Sequence, residues 1–426
     1  MEIQLAYGKH GLTLTTRPEW DVQVIQPRYQ PAPPDPAALL RAALRQPTAS
    51  PALAELARQA QRIGIIVNDL TRASPNESML AAIFEELAGL PDERVCLFVA
   101  LGSHRQMTAA ELRATLGAEA LRRFRVVQND AFDPATQACL GTTPTGTQIW
   151  LNAELAACDL KILTGFIEPH FFAGFSGGGK ALVPGMAGLS TIMANHAWQQ
   201  IAHPAATWGV TDGNPIWEDI HHAADLCGRL FLYNVTLNRE KAVTAVFAGD
   251  LRAAHAAGCQ AVKAAAMVPV AAPFDVVVTT NSGYPLDQNL YQSVKGMSAA
   301  AQIVKPGGAI ILAAECADGI PDHGLYAQLL RAAAAPAEIL RQLQDHGQTR
   351  QDQWQVQIQA RILEKARIYL YSHNLTPAQV RGALLIPTPS VETALAELIV
   401  AGSPGGQSVR VCVLPEGPLT IPYVQA

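Results

Sequence analysis

Two hydrophobic periods alternate along this chain. Short runs rich in valine and isoleucine, RIGIIVND, RVCLFVAL, FRVVQND and LKILTGF, are bounded by turn residues and read as strands. Between them, ESMLAAIFEELAGL and TAAELRATLG carry apolar residues three and four apart and read as amphipathic helices. Thr108, with Glu111 three residues on, is placed as the N-cap of the second. Strands alternating with helices predict an α/β fold with largely parallel sheets covered on both faces. The pattern restarts near Phe274: FDVVVTTN is a strand, NLYQSVKGMSAAAQIV a helix, KPGG a turn and AIILAAE a returning strand. Two α/β domains are therefore expected, an N-terminal one over 1–270 and a C-terminal one over 274–398, with a cleft between them where ligands of such folds often sit. VKAAAMVPVAAP reads as a hinge, and 400–426 is expected to cross back and complete the first domain. Near the start, IQLAYG, GLTLTT and DVQVIQP alternate as short, hairpin-forming strands. The region 324–369 reads as helical, and GALLIP and VRVCVLP as closing strands.

Composition narrows the class. The chain has 426 residues, enough for two or three cores, and nearly half of them are hydrophobic. A net charge of -5, spread evenly, gives no nucleic-acid footprint and no basic membrane-binding helix. Seven cysteines without paired spacing fit buried thiols of a reducing compartment. The N-terminal segment lacks a charged n-region followed by an apolar one, and no run approaches the ~20 apolar residues of a membrane span. A cytoplasmic protein with no membrane partner is expected.

The chemistry collects where strands end, as ligand sites of open α/β sheets do. IIVN is followed by Asp69, Thr71 and Arg72, and FVAL by Gly102, Ser103 and His104. ILTGF is followed by His170 and the run Ser176, Gly177, Gly178, Gly179, Lys180; VVVTTN by Tyr291, Gln292 and Lys295. The glycine run predicts closely approaching backbone amides that form an anion nest, with Lys180 touching a phosphorylated ligand. A P-loop does not fit. Ala181 stands where a hydroxyl should ligate Mg²⁺, and Pro184-Gly185 breaks the helix that should follow. Each residue also has a plain structural reading. A histidine after a strand can be a satisfied loop residue, Arg72 can pair with Asp69, Tyr291 and Lys295 can be one face of a surface helix, and His196 can cap or pack. Their joint placement favours one shared site, in which an Arg and a Lys suit a carboxylate.

Asp69-x-Thr-Arg72, GSHR with His104, PHFFAGFSGGGK with His170 and Lys180, the downstream His196 and YQSVK together resemble the nickel-dependent lactate racemase family. The resemblance covers both expected domains in the same order. It implies a nickel-pincer nucleotide, a pyridinium mononucleotide whose thioamide, thiocarboxylate and ring carbon clamp Ni²⁺. By the same resemblance, Lys180 carries the thioamide link. Ser176, Gly177, Gly178 and Gly179 hold the nucleotide, with Asp69 and Thr71 as polar contacts. His196 completes the nickel coordination, a sensible ligand beside sulfur. His104 and His170 are the acid/base pair, Arg72 and Lys295 grip the substrate carboxylate, and Tyr291 and Gln292 line the pocket, with Trp354 as a further aromatic. Maturation enzymes that build the cofactor are implied partners.

The implied reaction is racemisation or epimerisation of a 2-hydroxy acid, lactate or a short-chain relative. One histidine takes the hydroxyl proton while C2–H leaves as hydride to the cofactor. The planar 2-oxo acid turns and receives the hydride on its other face, and the second histidine returns the proton. Ser103 and Ala73 depart from the family's more usual Thr and Pro without removing a reacting group. Phe98, Phe171 and Phe172, near the site segments in sequence, favour a small apolar substrate side chain. Two alternatives stand beside this one: a zinc hydrolase using His104, His170 and His196, and a non-catalytic nickel-nucleotide-binding protein.

Overall fold

The computed structural model describes residues 1–322, 324–402 and 408–425. The chain forms two compact units. One, the glycine-loop unit, comprises Tyr29–His196 and His203–Ala265; the other, the terminal unit, comprises Met1–Arg28, Ala197–Ala202 and Ala266–Ala426.

The glycine-loop unit is built on a six-stranded sheet in the order Val243–Gly249, Leu230–Leu237, Leu160–Phe166, Ile63–Asn68, Val95–Ala100, Arg125–Gln128. Only Val243–Gly249 runs antiparallel to its neighbour. Leu160–Phe166 is buried along its whole length, so its sequence does not alternate apolar with exposed polar residues; its buried Lys161 and Thr164 bond to Cys158 O and Ile66 O, both at 2.7 Å. Ile63, Ile65 and Val67 face one core with Leu44, Leu56 and Ile83 of the flanking helices. Ile66, Phe98 and Leu163 point the other way, into a core shared with Leu155, Leu182 and Ala254. The Ala109–Leu116 helix opens on the expected reciprocal cap between Thr108 and Glu111.

The terminal unit carries a second six-stranded sheet, parallel throughout, in the order Ile386–Pro387, Arg367–Tyr371, Val304–Ala313, Phe274–Thr280, Arg410–Leu414, Asp21–Val24. Several sequence expectations are corrected here. The first 28 residues belong to this unit and not to the one that follows them in sequence. Asp21–Val24 adds to the sheet edge beside Arg410–Leu414, and the Glu2–Leu5/Leu12–Thr15 hairpin buries Ile3, Leu5 and Leu14 against Val276, Ile311 and Val411. The segment 400–426 does not complete the first domain. Its strand Arg410–Leu414 pairs with Phe274–Thr280, and Ile421–Val424 pairs with Met267–Val270; residues 403–407 and 426 lie outside the described residues. The hinge expected over VKAAAMVPVAAP is instead the end of the Leu251–Ala266 helix followed by that Met267–Val270 strand. In the region read as helical, helices Tyr326–Leu330, Pro336–Asp345 and Gln353–Lys365 give way to a strand at Arg367, where Ile368 and Leu370 alternate into the core.

Candidate active site

Within the glycine-loop unit, the turn after Ile63–Asn68 and the turn after Val95–Ala100 meet through one ion pair. Asp69 Oδ2 lies 2.7 Å from His104 Nδ1, and Thr71 Oγ1 donates to Asp69 Oδ1 at 2.7 Å. Asp69 is buried while His104 is 42% exposed at its side chain, so the carboxylate is fixed and the imidazole reaches outward. Burial works to raise the Asp69 carboxyl. The bond and charge of His104, helped by Thr71 and Arg72, outweigh it and hold the group below the usual carboxylate range. With Nδ1–H donated to a carboxylate, Nε2 of a neutral His104 is the free acceptor, a tautomer assigned from the bonds. The contact ties Asp69 to His104, a pairing that the sequence did not indicate. Arg72 does not close the alternative salt bridge, because the ion-pair partner of Asp69 is His104.

His170 sits in a different setting. It ends a two-residue strand paired with Gly174–Phe175 and is buried. The Ala173 N–H donates to its Nδ1 at 3.2 Å, which places the proton of a neutral ring on Nε2. Phe172 is the hub of this half. Its ring lies 4.5 Å from that of His170 and 5.0 Å from that of His196, both edge-on, and 5.4 Å from Lys180 Nζ. Burial, with the Lys180 charge adding to it, pushes His196 down to about 3, so its imidazole is neutral with a lone pair to give. His196 caps the Leu189–Asn195 helix, and its neighbour Asn195 is tied to the buried carboxylate of Asp219 at 3.1 Å. Phe171 stays beside His170, but Phe98 packs inside the sheet core with Ile66 and Leu163 and does not line the site.

Three amides at the glycine run have acceptors within the unit. The Ser176 amide donates to Glu168 O, the Gly178 amide to Asn234 Oδ1 at 2.8 Å, and the Lys180 amide to Gly177 O. What the run needs glycine for is close packing. A Cβ on Gly177 would stand 2.4 Å from Asn234 Oδ1, one on Gly178 2.3 Å from His255 Nδ1, and one on Gly179 2.8 Å from Ile220 Cγ2. Gly177 and Gly178 also hold positive φ angles of 74° and 58°. Downstream, the Gly185 amide bonds to Lys180 O, and the Gly102 amide to Gly185 O at 2.9 Å, which docks the His104 turn on the turn after Lys180. Asn234 and His255 were not singled out from sequence. Their signal was weak: Asn234 shares its strand with Tyr233 and Thr236, and His255 its alanine-rich helix with Arg252, Gln260 and Lys263.

In the terminal unit, Tyr291, Gln292 and Lys295 lie on the Leu290–Ala301 helix, whose first turn is capped when Asn289 Oδ1 accepts from the Gln292 amide. All three are half-buried. Tyr291 Oη accepts from Trp354 Nε1 at 3.1 Å, which joins two residues that the sequence reading named separately. Among the described residues no three His, Cys, Asp or Glu side chains are grouped to hold a metal ion.

Comparison with known proteins matches two family domains in succession. Residues 7–209 match the lactate racemase N-terminal domain and 270–421 the lactate racemase C-terminal domain. A lactate racemase from Thermoanaerobacterium thermosaccharolyticum is 35% identical over 89% of this chain and 88% of its own, and one from Lactiplantibacillus plantarum is 38% identical over 88% of each. The lactate racemase apoprotein structure from T. thermosaccharolyticum superposes with a TM-score of 0.93 at 33% identity, covering 99% of this chain and all of that one. A Thermotoga maritima protein at 18% identity shares the fold, with a TM-score of 0.68. The chain belongs to the lactate racemase family.

Proposed function

We propose that this protein racemises or epimerises a short-chain 2-hydroxy acid such as lactate, using a nickel-pincer nucleotide tethered at Lys180 with His196 as the protein's nickel ligand. The observation that carries the reading is the grouping of His170, His196 and Lys180 around one ring, Phe172, in the same unit as an Asp69-held His104. The residues suit such a group. His196 is neutral and buried, and an acylated Lys180 would remove the cation that His196 and the apolar surroundings now face. When bound, the group supplies an acceptor that takes the C2 hydrogen with its electron pair and gives it back.

The chain's own residues handle protons and position. His104, held at Nδ1 by Asp69, takes the hydroxyl proton at Nε2; His170 presents N–H at Nε2 to return one. The roles exchange in the reverse direction, since each enantiomer offers its hydroxyl differently. Arg72 holds the substrate carboxylate in this reading, with Lys295 as the second cation and Tyr291 and Gln292 as pocket residues. Phe171 and Phe172 keep water from the reacting carbon. Two relatives named lactate racemase support lactate or a close analogue as substrate. A zinc centre of three histidines gains nothing from the structure, because no such group forms among the described residues.

The test is to co-produce the chain with cofactor maturation enzymes, then measure the mass of the Lys180 peptide, the metal content and the interconversion of D- and L-lactate by chiral chromatography. A nickel-nucleotide adduct at Lys180 with interconversion is expected. An unmodified Lys180, where a known lactate racemase is modified in the same host, would sink the proposal.

A further inference from the structure

The glycine run lies on a bed of three side chains supplied from elsewhere in the unit. Asn234, from the Leu230–Leu237 strand, accepts from the Gly178 amide and donates to Leu163 O at 3.1 Å, and is fully buried. His255, from the Leu251–Ala266 helix, meets Ser176 O with Nε2 at 2.9 Å and is also fully buried. Ile220, from the Pro215–Asp225 helix, presses on Gly179. The His255 ring is backed by Trp217, stacked at 5.0 Å and 20°. Because Ser176 O is an acceptor only, the His255 proton sits on Nε2, and the bare Nδ1 faces the α-carbon of Gly178. No side chain at position 178 could coexist with this ring. The three glycines let the backbone settle on these side chains, and the residue after them is Lys180.

We propose that His255, with Asn234, is a positioning residue for Lys180: it fixes the direction of the lysine by gripping the loop that carries it. This rests on the proposed tether at Lys180, although the grip itself is a property of the chain alone. Two hydrogen bonds two residues apart, Ser176 O to His255 and Gly178 N to Asn234, leave the loop one register in which Lys180 reaches the Phe172 ring. Losing one lets the loop lift, and the amine then samples directions from which acylation and the His196 contact no longer coincide.

The experiment uses His255→Phe, which keeps an aromatic ring and removes the donor, and His255→Gln, which keeps an N–H donor. Each is produced as the full chain, with and without maturation enzymes. The first readout is the fraction of Lys180 peptide carrying the adduct. The second, on chain produced without them, is the rate of Lys180 acylation by acetic anhydride relative to exposed Lys263, read by peptide mapping. The expected results are a fall in adduct of tenfold or more in the Phe variant, a change of threefold or more in relative acylation, and recovery of most of both in the Gln variant, all with a cooperative melt. Should Phe not be tolerated, Asn234→Ala removes the acceptor of the Gly178 amide and is read in the same two ways. Wild-type loading together with wild-type acylation in a folded variant would overturn the positioning role. An unmodified wild type would strike the tether itself, and the acylation comparison would still decide whether His255 sets the lysine.

Discussion

His104 and His170 are offered by the same unit as a matched pair, yet their surroundings differ in kind. His104 is open to solvent and anchored by a buried carboxylate, whereas His170 is buried among aromatic rings and anchored by a backbone amide. One ring is held so that Nε2 is bare, the other so that Nε2 carries hydrogen. In the proposed racemisation, a site acting on two mirror-image substrates needs both states present at once. Unequal anchors would supply that difference before any substrate arrives, where two equivalent histidines would have to acquire it by chance protonation. The comparison teaches that a symmetric reaction of the proposed kind is best served by an asymmetric pair.

The strongest way to break this picture lies outside the pair. Lys180→Ala should leave no racemisation above background and no bound nickel after co-production, measured by chiral assay and metal analysis. If turnover survived, neither histidine would have the partner assumed for it. Next in size, His104→Ala and His170→Ala should each lower kcat by about 10²–10⁴-fold, the usual worth of a general acid or base. Because the equilibrium constant is one, kcat/KM must fall equally from D- and from L-lactate in each variant, but the saturating rates should fall unequally and in opposite order for the two variants. Equal losses of saturating rate in both directions from both variants would show the histidines to be interchangeable.

Asp69→Asn sharpens the comparison, since it alters the anchor of His104 and leaves the His170 side untouched. A carboxylate orienting a catalytic imidazole is worth up to about 10⁴-fold when sealed from water; with the imidazole so exposed, a loss of about 10–10²-fold in kcat with little change in KM is expected. The same loss appearing in KM would mean that Asp69 serves binding instead.

Much of this arrangement was readable in the sequence. Strand-end placement singled out His104, His170, Arg72 and Lys180 because polar residues after apolar strands have few structural uses. Two things were not readable. That the α-carbons of the glycine run rest against side chains cannot be read from the run itself, because Asn234, His255 and Ile220 supply those contacts. Those partners lie 40 to 80 residues downstream, a distance over which periodicity carries no information. The first 28 residues were likewise assigned by chain order, whereas their strand was claimed by an open sheet edge at Arg410–Leu414 nearly 400 residues away. Local pattern identified the strand; the choice of edge is made by long-range pairing.

The smallest effect concerns stability, and it separates the buried histidines from His104 once more. Burial pushes His255 down to about 4, and burial with the Arg252 charge does the same for His221. In the unfolded chain both return to about 6.5. Between those values the unfolded state binds more protons than the folded one, so stability rises with pH there and is lost on acidification. Each such histidine contributes a slope of up to about 1.4 kcal/mol per pH unit in that window, and none above pH 7 or below about 4, where both states carry the same protonation. Urea unfolding of the chain at pH 7 and pH 5, followed by tryptophan fluorescence, should show a lower midpoint at pH 5, and His255→Gln should flatten part of the difference. His104→Gln serves as the contrast. Its ring is hydrated and paired to Asp69, so the substitution removes no buried neutral imidazole and should leave the acid-side loss in place. If the two variants flattened the profile equally, the exposed and buried histidines would not differ in the way their surroundings require.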